Sequence, residues 1–479
     1  MSFQRHFPHK ARWLVQCGIV CIVVAVGFLV SPLPGLCQQS SSPIQTGPRS
    51  LYFGGMGWAW FSQFANPALV GSLYMTPDWP KTGYYPVYPG SFSRPIEEDG
   101  IQFGPTKLHP TIGLAEIYTD NVFRTNTNRR SDFATTLAPG FQAEVPFAGR
   151  HVFVADYRSN IQLFHQNPSN NVQDQTASAR FSFDFPSGMR LDLQGEHKLG
   201  HDPRGSALDT QNVEVNKWTA NNVIGRLAYD GTAVGIRLNV ASTRWTYLNN
   251  EQSVFRNRLS NFAGLTVLGN ITSKTALVTN VGVTQDVYDE SKTLNSTVYS
   301  VSSGLQWNVS QKTSGEILAG YQHLRFANAE SGQTVAGLQF PRSSDSYGNF
   351  FFVSNVTWKP TPFLTLYLQG YRSFQQSVVL GTLFFTSTGA NLSAIHTLTD
   401  STAATLNLGI ENDSFQVSAP TPDNQSRVDL IKSMAVGVRY RTMKWAGLAL
   451  QYIFEDRSSN VDRFNYYANS LMLSLQTTF

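Results

Sequence analysis

Charge, cysteine and long apolar runs are all scarce in this 479-residue sequence, and each shortage excludes a class of protein. Charged residues make up 14% of the chain, whereas an average soluble domain contains about 25%. A disordered chain is excluded because aromatic residues reach 13% and net charge is low. A bundle of membrane helices is excluded because only one run of about 17 apolar residues is present. Abundant Ser, Thr, Asn and Gln after position 100 favour a β-rich protein with one polar and one apolar face.

Neither sign of charge dominates the sequence. The 36 Lys and Arg residues nearly balance 32 Asp and Glu residues, for a net charge of +4. Three of the positive residues, Arg5, Lys10 and Arg12, lie in the N-terminal segment, which leaves the rest almost neutral. A nucleic-acid partner would need Lys and Arg clustered on one face, so we expect no nucleic-acid binding.

The N-terminus has the features of an export signal. Its positive residues precede an apolar run from Leu14 to Val30, and small residues at Gly35 and Cys37 suit cleavage before Gln38. We therefore predict a signal peptide at 1–37, with an uncleaved anchor helix as the alternative. The three cysteines of the chain all lie at or before this cut: Cys17, Cys21 and Cys37. A mature chain without thiols would have neither disulfides nor thiolate metal sites.

Residues 38–107 differ from the rest because they are rich in Pro, Gly and aromatic residues, most densely at 51–61. They show no sustained helical or strand periodicity. We predict an irregular extension, which either acts as a plug or docking peptide or is a poorly ordered leader.

From residue 108 onward the apolar residues alternate with polar ones. Val234, Ile236 and Leu238, for example, alternate with Arg237 and Asn239. The same alternation recurs along 151–163, 189–199 and 428–440. This pattern predicts strands with one apolar face, although a soluble antiparallel sheet would give it too.

The spacing of turns favours a membrane barrel. Short turns are centred near 147, 187, 231, 270, 311, 360, 399 and 443. Longer polar segments lie between them, at 200–212, 327–345 and 418–426, and 124–130 is a similar segment ahead of the first turn. Short turns at one end and long loops at the other are typical of outer-membrane barrels. We predict an all-β fold for 108–479: a transmembrane antiparallel up-and-down β-barrel of 18 strands, or 16 if the segment around 380–396 is a folded loop. Outer-membrane lipids of a Gram-negative-type bacterium would surround it.

The last strand resembles a recognition signal for barrel assembly. Tyr467, Leu471, Leu473, Leu475 and the terminal Phe479 share one face of this strand. An alternating final strand that ends in Phe is similar to the signal by which the barrel-assembly machinery recognises its clients. We therefore expect that machinery as a partner and Phe479 as the assembly signal.

The first hairpin resembles a known family. A strand ends in Tyr118-Thr119-Asp120-Asn121-Val122-Phe123, and Ser131-Asp132 then opens a strand that contains Thr135 and Thr136. These 25 or so residues resemble the putative β-barrel porin 2 family, whose members often accompany exopolysaccharide-biosynthesis genes. The resemblance implies a barrel without catalytic residues. By association alone, it also implies polysaccharide-export components as partners.

Nothing in the sequence predicts an enzyme, a cofactor or a metal site. His197 and His201 are the nearest pair of mature histidines, yet four positions along a strand separate them by about 13 Å. No phosphate-binding Gly-rich loop and no Gly-x-Ser-x-Gly turn is present. Asp120 and Asn121 could bind a cation, but Asx-turn chemistry is the simpler interpretation.

The function that these observations favour is a porin or conduit for hydrophilic solutes, since a barrel of this size can leave an aqueous channel. Charges of both signs on its inward face would suit neutral or weakly charged solutes, or would pair and merely stiffen the wall. Two alternatives remain: a closed structural barrel that docks polysaccharide-assembly partners, and a barrel enzyme. The predicted pore-lining residues are Asp156, Arg158, Arg180, Asp184, Arg190, Asp192, Glu196, Lys198, Arg226, Arg237, Arg427, Asp429 and Arg439.

Overall fold

The computed structural model describes residues 100–207, 209, 211–310, 312–327, 334–335, 338–339, 346–376, 382–417 and 426–478. The predicted signal peptide, nearly all of the predicted extension and the predicted assembly signal Phe479 lie outside the described residues. Among the described residues, no helix combines the length and apolar character needed to cross a membrane.

Strands dominate the described chain. They are β1 (Ile101–Phe103), β2 (Thr106–Thr119), β3 (Asp132–Phe147), β4 (His151–Phe164), β5 (Val172–Asp184), β6 (Met189–His201), β7 (Lys217–Asp230), β8 (Val234–Tyr247), β9 (Arg258–Thr272), β10 (Thr275–Tyr288), β11 (Ser296–Ser310), β12 (Thr313–Phe326), β13 (Thr334–Val335), β14 (Leu338–Gln339), β15 (Ser346–Thr361), β16 (Leu364–Gln376), β17 (Thr382–Thr397), β18 (Thr402–Val417), β19 (Val428–Met443), β20 (Ala446–Ser459) and β21 (Tyr466–Thr478). The described helices are one short α-helix, α1 (Gln252–Arg256), and the 3-10 turns Pro168–Asn170, Lys292–Leu294 and Asp462–Phe464.

Eighteen of these strands form a closed antiparallel barrel. Each of β2–β12 and β15–β21 pairs with its neighbour in sequence, and β2 pairs with β21 from Thr111↔Thr478 to Thr119↔Ser470. The predicted all-β up-and-down barrel is therefore confirmed. The 16-strand alternative is excluded because β17 pairs with both β16 and β18.

The barrel sheet begins slightly before the predicted boundary at residue 108. β2 starts at Thr106, and β1 pairs with its first residues from Ile101↔Leu108 to Phe103↔Thr106. The other edge of β2 is occupied by β3 from Lys107 onward. β1 therefore lies on the same edge of β2 as β21 and continues the line of that last strand. Residues 101–103 and 106–107 belong to the sheet, joined by a turn at 104–105, and not to the irregular extension.

Short turns and long loops alternate round the barrel as predicted. The strand pairs β3–β4, β5–β6, β7–β8, β9–β10, β11–β12, β15–β16, β17–β18 and β19–β20 are joined by short turns at one end. One predicted turn was misplaced, because Gly269 and Asn270 lie within β9 and the turn is at 273–274. The Asn270 amide instead donates to the carbonyl oxygens of Gly231 and Thr232, at 3.0 and 2.9 Å, and so binds the neighbouring turn.

The two faces of the barrel wall differ in exposure. On β8 the side chains of Ile236 and Leu238 are each 45% exposed. The side chain of Asn239, on the other face of the same strand, is 5% exposed. The concave inner face crowds its side chains, so the exposed apolar face is the outer one. Lys432, which interrupts the apolar face of β19, lies opposite Asp456 of β20, with 3.7 Å between Nζ and Oδ2.

Aromatic side chains are exposed on the outer face near both ends of the strands. Tyr118, Phe133, Tyr299 and Tyr467 lie towards the long-loop end. Tyr229, Trp358 and Tyr440 lie towards the short-turn end. An apolar band between two aromatic rows is the outer surface that a barrel presents to a bilayer.

Asparagine closes several of the long loops in the same way. Asn171, Asn257, Asn295 and Asn465 each stand directly before a strand, and each Oδ1 accepts the backbone N–H of a residue at or near the end of the preceding strand. In all four loops the asparagine follows a short helical turn, which its own backbone N–H helps to close. Because these bonds fix both ends of a loop, the same sequence feature recurs at four points of the rim.

Candidate functional site

The inner face of the wall carries the predicted pore-lining residues of the strands. Leu191 and Leu193 of β6 lie on the outer face, so Arg190, Asp192, Glu196 and Lys198 project inward. The same alternation places the predicted residues of β4, β5, β7, β8 and β19 inside: Asp156, Arg158, Arg180, Asp184, Arg226, Arg237, Asp429 and Arg439. Arg427 lies just before β19 in a long loop. That these residues line an open pore stays a prediction.

Many of these charges form pairs within one strand. Arg158 contacts Asp156 at 3.1 Å, Arg190 contacts Asp192 at 3.3 Å, and Lys198 contacts Glu196 at 2.8 Å. Each pair consists of residues two positions apart, which point to the same face of a strand. The wall therefore presents charges of both signs with little local excess of either.

The remaining predicted residues have other neighbours. Arg237 lies 3.4 Å from Asp230 across the β7–β8 turn. Arg180, Arg226 and Arg439 also interact with neighbouring groups. Asp184 is exposed near the short-turn end, and its backbone N–H donates to Nδ1 of His151 at 3.1 Å.

A different arc of the inner wall is lined by uncharged amides. Asn355, Gln369 and Asn391 stand opposite one another on β15, β16 and β17. Gln369 donates to Asn355 Oδ1 at 3.3 Å, and Asn391 donates to Gln369 Oε1 at 3.2 Å. Sequence reasoning missed this amide ladder, although all three residues lie five or six positions from the short-turn end of their strand. The ladder supplies a hydrogen-bonding surface without net charge.

A buried charge cluster lies at the long-loop end. Arg427 donates to Asp429 from Nε and Nη2, at 2.8 and 2.6 Å to Oδ2, and Arg457 of β20 donates to the same carboxylate. The guanidinium of Arg427 also stacks between the rings of Phe415 and Phe464, 4.1 and 3.7 Å from their centroids. Asp429 has no exposed surface, so this part of the predicted lining is packed and not open to solvent.

The loop between β6 and β7, described at residues 202–207, 209 and 211–216, crosses the interior of the barrel. Ala207 of this loop is buried against Phe385 of β17 and Phe415 of β18. These two strands lie half-way round the barrel from β6 and β7. The Gly205 carbonyl oxygen accepts from Arg457 at 3.1 Å and from the Tyr466 hydroxyl at 3.3 Å. We call residues 202–216 the crossing loop.

Gly205 is required for this approach. Its backbone φ is +75°, and an added Cβ would lie 2.4 Å from the Tyr466 hydroxyl. Any larger residue would therefore strain the backbone and push the crossing loop away from β21.

Ion pairs fasten the base of the crossing loop. Asp202 accepts from Arg256 at 2.5 Å and from Asn216 at 3.1 Å. Arg204 lies 3.6 Å from Asp209, and burial raises the pKa of the Asp209 carboxyl although this guanidinium is close. The loop is thus held at its base and at its far end, and it narrows the interior at the long-loop end.

The sequence of the barrel matches one known protein family. The sequence profile of the family described as putative beta-barrel porin 2 matches residues 94–479. The chain belongs to this family. None of the curated proteins matches the chain.

Solved barrels resemble this member of the beta-barrel porin 2 family only distantly. A BenF-like porin from Pseudomonas fluorescens is 10% identical, with a TM-score of 0.44, over 78% of this chain and 99% of that one. OccAB3 of Acinetobacter baumannii is 8% identical, with a TM-score of 0.43, over 79% and 100%. OprD of Pseudomonas aeruginosa is 8% identical, with a TM-score of 0.40, over 78% and 95%. At these values the likenesses say nothing about what this family member transports.

The loop of the first hairpin is hydrogen-bonded to the last strand. The Asp120 carboxylate accepts from the backbone and side-chain amides of Asn469, at 2.8 and 2.7 Å, and from Arg129 at 2.7 Å. Asn121 donates to the carbonyl oxygens of Thr125 and Tyr467. These bonds join the first loop to the last strand at the closure of the barrel. The structure therefore supports the turn interpretation of Asp120 and Asn121 over a cation site.

Burial raises and hydrogen bonding lowers the pKa of Asp120. Desolvation is the largest influence, but the two amides of Asn469 and the charge of Arg129 outweigh it, so the pKa of this loop carboxyl lies below its ordinary value.

Asp132 joins the first hairpin to the next long loop. Its carboxylate accepts from the backbone N–H groups of Gln166 and Asn167, which belong to that loop.

The histidines do not come together as a site. His197 contacts Asn221 at 2.7 Å, whereas His201 contacts Asp174 at 2.9 Å. Within the described ranges, no group of three His, Cys, Asp or Glu side chains is arranged to hold a metal ion.

Proposed function

We propose that the protein is an outer-membrane channel for small polar solutes of low net charge, narrowed at its extracellular end by the crossing loop. The observation that carries this proposal is the inner wall, where charges of both signs are paired within strands and amides form a ladder. Such a wall offers hydrogen bonds at many heights but no strong field of one sign. An 18-strand barrel is wide enough to hold water along this wall.

The outer membrane of a Gram-negative-type bacterium is the location that fits this barrel. A closed sheet satisfies its backbone hydrogen bonds within hydrocarbon, and the outer face carries an apolar band between aromatic rows. By this reasoning the long loops face the outside of the cell and the short turns face the periplasm. A protein that fractionates as soluble, and whose gel mobility is the same before and after boiling, would contradict this location.

A closed structural barrel is the second candidate, and one observation favours it. The crossing loop, the cluster round Asp429 and the apolar contacts of Ala207 together fill part of the extracellular end. A barrel closed there would serve as a platform for partners and would pass no steady current. A link to polysaccharide export rests only on the exopolysaccharide-biosynthesis genes that often accompany members of this family.

Single-channel conductance in planar bilayers distinguishes the two candidates. We expect the purified protein to conduct, and we expect a larger conductance when residues 203–213 are replaced by a short Gly-Ser linker. The matched control is Val213→Ala, since this side chain of the same loop is 79% exposed and should leave the conductance unchanged. If neither the native protein nor the linker variant conducts, the channel proposal fails and the structural role is favoured.

A further inference from the structure

The wall of the barrel has an incomplete seam between β15 and β16. Their paired residues run from Thr361↔Leu364 up to Phe352↔Arg372 and stop there, although β15 continues to Ser346 and β16 to Gln376. Continued pairing would place Phe351 opposite Ser373, but these residues are not paired. Among neighbouring barrel strands in the described chain, this ladder has the fewest pairs.

The upper part of β16 folds inward together with the start of β17, with which it stays paired up to Gln376↔Phe384. The backbone N–H of Phe374 donates at 3.4 Å to the side chain of Gln322, a fully buried residue on the inner face of β12. Because β15 separates β12 from β16, β16 must lie over the inner face of β15 at this height.

An apolar cluster lies directly behind the seam. The ring of Phe384, at the start of β17, packs 4.9 Å from the rings of Phe374 and Tyr347. The cluster is completed by residues of β11, β12 and β17: Val298, Leu324, Phe326 and Leu383. Apolar packing of this kind is unexpected on the inner wall of an aqueous channel, whose interior is otherwise polar.

The side chain of Asn349 on β15 bridges the upper seam. It accepts from Arg372 of β16 at 3.3 Å and donates to Thr386 of β17 at 3.4 Å. Arg372 also donates to Thr388 Oγ1 of β17, on the other side of β16, at 2.6 Å. On the outer face, Phe350 and Tyr321 stand opposite each other and are each 53% exposed. Aromatic residues at this position mark the level where lipid headgroups meet acyl chains.

We propose that the upper β15–β16 seam, whose flanking residues Phe351 and Ser373 are buried in this structure, opens laterally to bind an anionic amphiphile with a long apolar chain. The chain lies against the apolar cluster, and the anionic head binds the guanidinium of Arg372 at the foot of the seam. Opening this seam breaks side-chain hydrogen bonds but no backbone ladder, whereas opening any fully paired seam would expose a row of backbone groups. This site is independent of the channel proposed for polar solutes.

Photolabelling tests the proposal with a defined probe, a diazirine-bearing palmitate added to the purified barrel in lipid nanodiscs. We expect label on the described residues 346–352, 372–376 and 382–385, competed by unlabelled palmitate. Removing the charge with Arg372→Gln should lower this labelling about tenfold or more, the loss expected for one hydrogen bond to a charged group. Label spread evenly over the outer apolar face would overturn the proposal.

A cross-link supplies the second test. No cysteine follows Cys37 in the sequence, so a Phe351→Cys/Ser373→Cys pair joined by a short bismaleimide would lock the seam. The matched control is a Val353→Cys/Tyr371→Cys pair, which spans residues already paired in the ladder. The seam lock should abolish labelling and the control should leave it intact, with the heat-induced gel shift reporting that both fold. Labelling that survives the lock overturns the proposal, while conductance of the same variants reports separately on the channel.

Discussion

The ion pairs of the inner wall and those of the long-loop end are built differently. On β4 and β6, Arg158 pairs with Asp156 and Arg190 with Asp192, each two residues away, and the guanidinium-bearing side chains are 20% and 44% exposed. At the long-loop end, Arg457 pairs with Asp429 and Arg256 with Asp202, 28 and 54 residues away, and all four side chains are nearly inaccessible.

The difference separates partly exposed charges on the inner wall from charges buried beneath the long loops. Exposed pairs contribute little to stability because water and salt screen them. Removing one partner of a buried pair is costly because it leaves the other charge desolvated. The wall pairs Arg158–Asp156 and Arg190–Asp192 should therefore govern which ions pass, and the buried pairs should govern whether the crossing loop and the last strands stay in place; Lys198–Glu196 lies on the wall but is itself buried.

The largest effect is expected from Asp429→Ala. It leaves Arg427 and Arg457 buried without their shared carboxylate, which should reduce the free energy of unfolding by about 3 to 5 kcal/mol. Urea unfolding in lipid vesicles, followed by the gel shift, measures this loss. Asp192→Ala on the wall is the matched control, with an expected loss below about 1 kcal/mol. Equal losses in the two variants would erase the distinction between wall pairs and buried pairs.

A smaller effect tests the faces of β6, on which the wall pairs depend. Leu193→Arg places a charge on the outer apolar face and should cost about 2 to 4 kcal/mol near the middle of the bilayer. Gln194→Arg, one residue along and on the inner face, should cost much less. Assembly yield in vesicles and the urea midpoint report both. The inside and outside assignments are reversed if Gln194→Arg is the more harmful change.

Reversing one charge of a wall pair should alter selectivity more than stability. Arg190→Glu places two acidic groups side by side in the channel, so the reversal potential in a salt gradient should shift towards cation preference. The free energy of unfolding should change by less than about 1 kcal/mol. The matched control is Asp462→Lys, which changes the charge of a long loop away from the wall and should leave selectivity unchanged. An unchanged reversal potential for Arg190→Glu would remove the wall pairs from the conducting path.

Most of the barrel could be predicted from the sequence because its signals are local. Alternation fixes the face of each residue, so the inward placement of Arg190 and Asp192 follows from Leu191 and Leu193 alone. Turn spacing fixes the strand count for the same reason. The wall pairs can also be predicted from the sequence, because residues two apart on a strand are neighbours on one face.

The remaining features depend on contacts between distant segments, which a single sequence does not reveal. Nothing in residues 202–216 shows that Ala207 reaches β17 and β18 across the barrel, or that Gly205 fits beneath Tyr466. Alternation places Arg427 and Asp429 on the open wall, because it does not show which end of a strand is covered by a loop.

The smallest effect concerns Asp120, a long-range contact that is partly exposed. Its pKa is lowered in the folded protein, so its carboxylate contributes stability that is complete above the unfolded pKa of about 3.9 and lost as pH falls through the folded pKa. Asp120→Asn should therefore be slightly less stable than the native protein at pH 7, by less than about 1 kcal/mol. The gap should narrow as the pH falls below about 4. Asn121→Ala removes uncharged contacts of the same loop, and its gap should not vary with pH. A gap for Asp120→Asn that is equally constant would show that Asp120 joins the first loop to the last strand through hydrogen bonds alone, without its charge.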